Sequence, residues 1–116
     1  MGKRRDIIKG ERTARIRYSA AAEADLAAIG DYTFRTWGEA QTSRYLRALE
    51  DCCERLVGNA MLGRACDWIR PGLRRMEEGR HVIFYRLRDS GIFVSRILHQ
   101  SMSPDRHSFE DVTPDV

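Results

Sequence analysis

The sequence predicts an α+β fold: a two-layer, β-α-α-β-β-β domain with a helix hairpin packed on a small, mostly antiparallel sheet. Three observations carry this. Apolar residues recur every three or four positions from Leu26 to Leu56. The period then changes to two from Leu73 onward. Between the two regions lies a stretch marked by Gly63, Pro71 and Gly72, residues that break regular structure.

Arg15-Ile16-Arg17-Tyr18-Ser19 alternates polar and apolar, as a half-buried strand does. A lone strand leaves its backbone groups unpaired, so this one must join a later strand. Ser19 is a good helix N-cap and is followed by Ala20-Ala21-Ala22-Glu23. Leu26, Ile29, Thr33 and Trp37 form one stripe, with Tyr32 beside it, and Gly38 ends the helix. A second helix starts near Glu39. Leu46, Leu49, Cys53 and Leu56 form its stripe, and Gly58-Asn59 closes it. Arg47, Asp51 and Arg55 are spaced for i,i+4 pairs on the wet side. Trp37 is expected to staple the hairpin turn, and Trp68 to cover a core edge.

Residues 61–72 read as a loop. Leu73 to Glu78 alternates as a strand. His81-Val82-Ile83-Phe84-Tyr85-Arg86-Leu87 is too apolar for an edge and reads as a central strand. Asp89-Ser90-Gly91 is a turn, and Ile92 to His99 the last strand, joined by a loop of about three to four residues. Ser103-Pro104-Asp105-Arg106 can open one helical turn. The expected organisation is a basic N-terminal extension over 1–14, a folded domain over 15–107 and an acidic tail over 108–116.

The totals bound the function. A chain of 116 residues with 42% hydrophobic content holds one modest core. No stretch approaches the roughly 18 apolar residues of a membrane span, and the basic start lacks the apolar run of a secretory signal. Cys52, Cys53 and Cys66 are odd in number and form no C-x-x-C pair; they read as reduced apolar fillers in a cytoplasmic protein. No metal site and no cofactor is expected. Net charge is +3. Two basic regions, 1–18 and 64–106, flank an acidic middle, a pattern that suits an acidic protein partner as well as nucleic acid.

Residues 69–87 hold five arginines and a histidine around the central strand. Cleavage of a phosphodiester needs a base, an acid and cations to hold the phosphate. Arg74, Arg75, Arg80, His81, Arg86, Arg96 and His99 are the candidates. Strand alternation puts His81, Ile83 and Tyr85 on one face and Val82, Phe84 and Arg86 on the other, so His81 and Tyr85 are at most a pair on the open face. Phe84 and Tyr85 point oppositely and cannot form one base-stacking platform, which argues against an RNA-reading sheet. Arg86 and Arg96, if directly opposed, would repel, so an acidic group is expected between them. The strand is read as a docking surface, and no catalytic residue is assigned.

An ordered set of segments resembles the ParE toxins of type II toxin–antitoxin modules, within the wider RelE/ParE superfamily. These are Tyr18-Ser19 with Ala24-Asp25-Leu26 and Ile29; Tyr32 to Trp37-Gly38; Gln41 to Tyr45-Leu46; Gly63-Arg64; Asp67-Trp68-Ile69-Arg70-Pro71-Gly72-Leu73-Arg74-Arg75; Gly79-Arg80-His81-Val82-Ile83-Phe84-Tyr85-Arg86; and Arg96-Ile97-Leu98-His99-Gln100-Ser101-Met102 with Arg106-His107. The resemblance covers about residues 15 to 107; the basic start and the acidic tail lie outside it.

The resemblance implies a growth-arresting toxin that binds DNA gyrase and stabilises its cleaved-DNA state. It also implies a cognate, ParD-like antitoxin with a ribbon-helix-helix part. Direct nucleic-acid binding by the chain alone is not expected. His99, Gln100, Ser101, Met102 and Arg106 are the candidates for target contact. Tyr32, Tyr45, Leu49, Arg74, Arg75, Arg80 and Arg86 are those for antitoxin contact, with an apolar channel between hairpin and sheet to receive an antitoxin helix. The alternatives are a ribosome-dependent mRNA endonuclease of RelE type and a non-toxic relic that only binds antitoxin.

Overall fold

The computed structural model describes residues 15–109. Strand β1 is Ile16–Tyr18, helix α1 Ala20–Trp37 and helix α2 Glu39–Gly58. Strands β2, β3, β4 and β5 are Arg64–Ala65, Arg74–Glu78, His81–Arg88 and Gly91–His99. Single 3-10 turns lie at Ala60–Leu62 and Pro104–Arg106. The sheet order is β1-β5-β4-β3-β2, antiparallel except that β1 runs parallel to β5. Both helices lie on one face of this sheet, so the expected α+β two-layer class holds.

The local signals act as the sequence suggests. Ser19 has extended backbone, and its Oγ accepts from the Ala22 N–H at 2.9 Å. Gly38 takes φ 89°, which turns the chain between α1 and α2 in one residue. The helix layer buries Ile29, Leu49, Cys52, Cys53 and Leu56 against Ile16, Ile83, Tyr85, Ile92, Val94 and Ile97. Thr33 is buried in the α1 stripe with its hydroxyl donating to Ile29 O at 2.7 Å, which satisfies it within its own helix. All three cysteines are free thiols and buried; burial pushes the Cys53 thiol up to about 12.

The orientation of the central strand follows from the cores. Ile83 and Tyr85 pack under the helices, whereas Val82 and Phe84 face the opposite side. There they meet Cys66, Leu73 and Leu98, with Ile69 and Phe109 laid against them. Phe109 stacks edge-on to Phe84, so packing runs past the domain boundary expected at residue 107. The rest of the expected tail, 110–116, and the N-terminal extension, 1–14, lie outside the described residues.

Several expectations are corrected. Tyr85 does not share an open face with His81: it is fully buried, with its hydroxyl donating to Ala60 O and accepting from Gly63 N–H. The β4–β5 loop is two residues, Asp89-Ser90, because Asp89 adopts φ 50° and Arg88 pairs with Gly91. Strand β2 lies within the stretch expected to be loop. It sets Arg64 opposite Arg75, a like-charge pairing relieved by Glu77, which holds both guanidiniums at 2.9 and 3.2 Å. Arg55 also reaches Glu78 at 3.4 Å across the layers, a contact that helix spacing does not show. Trp37 and Trp68 are 68% and 75% exposed, so neither covers the core.

Arg96 and Arg86 are not opposed. Arg96 pairs across the ladder with Phe84, and Arg86 with Phe93. The acid that Arg96 needs comes from α1: Asp25 accepts from its Nε at 2.8 Å and its Nη2 at 2.9 Å. The same carboxylate accepts from the Ile97 backbone N–H at 2.9 Å. Both side chains are about 15% exposed. Removing one member of so shielded a pair strands the other, at about 3–5 kcal/mol. Asp25→Ala is therefore expected to lower unfolding stability in urea by about 3 kcal/mol, whereas Asp31→Ala, in an exposed i,i+4 pair with Arg35, shifts it by under about 0.5 kcal/mol.

Candidate functional site

A groove of about 950 Å³ opens between the helix hairpin and the β4–β5 end of the sheet. One wall comes from the helices: Ile29, Tyr32 and Trp37 of α1, with Gln41 and Tyr45 of α2. Tyr32 and Trp37 are largely exposed, and Met102, at the far lip, is half exposed. Large aromatics left in water on rigid helices are the features of a surface that binds another chain. The other wall carries the polar side chains Arg80, His81, Arg96, His99 and His107 alongside Ile97 and Leu98. All three histidines of the chain thus line one groove.

Local structure fixes each ring. Gly79 turns between β3 and β4 with φ 60°, and a Cβ there would sit 2.7 Å from the Tyr45 ring, so this position must be glycine. That close approach brings the Tyr45 hydroxyl to the turn, where it accepts from the Arg80 N–H at 3.0 Å and lies 2.6 Å from His81 Nδ1. The hydroxyl's alternative acceptor, Glu78 O, lies 3.5 Å away, so it donates to the much nearer Nδ1, which leaves Nε2 as the protonated nitrogen of neutral His81. His81 pairs directly across the ladder with His99, and the rings meet edge to face at 5.3 Å. His99 Nδ1 accepts from the Ser101 N–H at 3.1 Å, so its neutral form also carries its proton on Nε2. His107 Nδ1–H donates to Ser103 O at 2.9 Å. Burial pushes the His81 pKa down, and the His99 ring pushes it the same way; the Asp25 charge opposes both more weakly. Burial likewise pushes the Tyr45 hydroxyl up.

The groove unites residues that the sequence assigns to two different partners. Tyr32, Tyr45 and Arg80, expected at the antitoxin, share it with His99 and Met102, expected at the target. Gln100, Ser101 and Arg106 are exposed just outside its lining. Leu49 is 1% exposed and belongs to the core, so it offers no contact surface. The remaining arginines disperse. Arg74 donates to Gly63 O at 2.6 Å, and Arg86 to Pro71 O. Arg75 lies over the Phe84 ring on the face away from the helices. Asp25 and Trp37 were not singled out from sequence as site residues: Asp25 reads as an ordinary helix acid, and Trp37 continues a stripe that periodicity assigns to the core.

Among the described residues, no group of three His, Cys, Asp or Glu is arranged to hold a metal ion. The fold and this groove define a small α+β protein with an aromatic-walled groove left open to solvent. Residues 16–104 match the family model described as "ParE toxin of type II toxin-antitoxin system, parDE". The chain belongs to this ParE toxin family. It is 45% identical over 96 residues to Toxin ParE1 of Mycobacterium tuberculosis, covering 82% of this chain and 98% of that one. It is 36% identical over 91 residues to Toxin ParE1 of Caulobacter vibrioides, covering 78% and 94%. A solved structure titled "Chromosomal ParDE TA system from P. aeruginosa" shares the fold with a TM-score of 0.62 at 22% identity, covering 72% of this chain and 92% of that one.

The lowered pKa of His81 gives stability a pH dependence with a definite sign. Unfolded, His81 takes up its proton near pH 6.5; folded, it does so only at lower pH. In that window the unfolded chain binds more protons, so stability falls as pH drops below about 7 and levels off under the folded pKa. Urea unfolding measured from pH 7.5 to 5 is expected to show this slope, and His81→Gln to flatten it.

Proposed function

We propose that this ParE-type toxin arrests growth by binding DNA gyrase and stabilising the cleaved-DNA complex, with no bond-breaking chemistry of its own. In this reading the protein acts in the cytoplasm. A cognate ParD-like antitoxin of the ribbon-helix-helix type neutralises it by laying an amphipathic segment in the groove. Family membership supports the toxin role. Among the described residues no helix is long and apolar enough to cross a membrane.

The observation that carries binding over cleavage is the fate of the arginines. An RNase needs cations converging on one phosphate beside a free acid and base. Here Arg74 faces the helix layer and Arg75 and Arg86 the opposite face, and Arg74 and Arg86 each donate to a backbone carbonyl; among the described residues this leaves Arg80 as one unpaired cation beside His81 and His99, where cleavage needs several. His81 is engaged by Tyr45 and held toward its neutral form. What the groove presents is an aromatic wall facing a polar one, which suits a docked segment.

The test is to add purified chain to gyrase and, separately, to translating ribosomes. Lost supercoiling with accumulation of cleaved DNA and intact message is the expected result; cleaved message with untouched gyrase would favour the endonuclease reading. Deleting residues from His99 onward is a poor probe of target contact, because Gln100 N–H bonds Arg80 O and Phe109 packs on Phe84. Substituting Gln100, Ser101 and Arg106, which lie outside the groove lining, together by Ala leaves both the core and the groove intact. This variant is expected to lose growth arrest while keeping antitoxin binding through the aromatic wall; retained killing would remove this segment from the target surface.

A further inference from the structure

The groove is asymmetric in charge, and the asymmetry has a location. On the helix wall, Asp25 is consumed by Arg96 and the Ile97 N–H, and Tyr32 and Tyr45 are neutral. Glu78, at the end of β3, is turned to Arg55. On the opposite wall stand Arg80, His81, His99 and His107. The Arg80 side chain is exposed, and no acceptor holds its guanidinium among the described residues. Tyr45 occupies Nδ1 of His81, and the Ser101 N–H that of His99. Each ring is left with an Nε2–H to donate. The uncompensated charge of the groove is therefore positive, and its donors stand together at the β3–β4 turn and the end of β5.

We propose that Arg80, His81 and His99 form a carboxylate-binding subsite, which takes an Asp or Glu side chain of the amphipathic partner segment whose apolar face lies on Tyr32 and Trp37. This rests on the reading of the groove as the antitoxin's seat, and adds to it the chemistry of the occupant and a regulation by protons. A carboxylate seated there favours the protonated His81 ring, so binding takes up protons and tightens on acidification. The site is built for this exchange. When His81 gains its second proton, Nδ1–H donates to the Tyr45 oxygen, and the Tyr45 hydroxyl can turn to Glu78 O, 3.5 Å away. No backbone has to move around His81.

The experiment is calorimetric titration of the full chain with a purified ParD-like antitoxin, at pH 8.0, 7.0, 6.0 and 5.5. Circular dichroism at each pH checks that both proteins stay folded. Affinity is expected to rise about tenfold across this range, the change for one histidine whose pKa rises by about one unit on binding. The combined variant His81→Gln and His99→Gln is expected to abolish the rise. Arg80→Gln is expected to weaken binding about tenfold at every pH, and Trp37→Ala to weaken it with the rise retained. Should the double variant not fold, histidine NMR of the unaltered chain reads the same quantity: the His81 pKa climbs in the complex. Tight binding with no pH dependence and an unmoved His81 overturns the subsite and leaves the antitoxin reading standing. Failure to bind at any pH overturns both.

Discussion

The fold turns on how strand β5 is completed at its outer edge. β5 has nine residues and its parallel neighbour β1 has three, pairing only with Ile92 to Val94. Beyond Val94 the edge would expose backbone donors and acceptors to the end of the sheet. Helix α1 takes them over. Ser19 N–H donates to Val94 O at 2.9 Å, and Ser19 Oγ donates to Ser95 O at 2.7 Å. Asp25, two turns along, accepts the Ile97 N–H and clamps Arg96. The N-cap thus serves two structures at once, since the Ser19 hydroxyl also accepts from Ala22 N–H. These bonds set the distance and rotation of α1 against the sheet. They thereby set the width of the groove whose wall α1 carries further along.

A second constraint lies in the ladder itself. Phe84 pairs with Arg96 and Tyr85 with Val94, so Ser95 is an extra residue on β5. This bulge reverses the alternation: Ile92 and Val94 face the helices before it, and Ile97 faces them after it. Without it, His99 would lie on the far face. With it, His99 meets His81 edge to face at the groove. The placement of a bulge next to a binding surface re-aims side chains without disturbing the strands on either side.

This explains what could be read from sequence and what could not. Ser19, Gly38 and Gly58-Asn59 act through local backbone chemistry, so both helices were legible to the residue. The long run around Ile83 announced a central strand. The bulge left no local mark, because Ile92 to Leu98 is apolar apart from Ser95 and Arg96, and either register buries a plausible set. Strand β2 is two residues long and exists only because β3 offers an edge. The same limit applies to Trp37. Periodicity placed it in the stripe of Ile29 and Thr33, but the chain leaves it largely exposed on the wall of the groove. The two histidine pairings and the role of Asp25 are tertiary facts, joining residues far apart in sequence.

The division of α1 also separates stability from recognition. Its first half holds the fold together through Ser19, Ala22, Asp25 and Ile29, all buried or nearly so. Its second half presents Tyr32 and Trp37 to water. Covering both with a partner would remove on the order of 250 Å² of apolar surface, gross stabilisation of about 6 kcal/mol before the cost of association. None of that is needed for folding, because the core beneath α2 closes on Leu49, Cys52, Cys53 and Leu56 without them. The apolar wall therefore supplies affinity but little selectivity, since any amphipathic segment can cover it. Discrimination must come from the polar wall, where one unpaired guanidinium and two ring N–H donors accept an occupant that brings a carboxylate and penalise one that leaves them dry and unpaired.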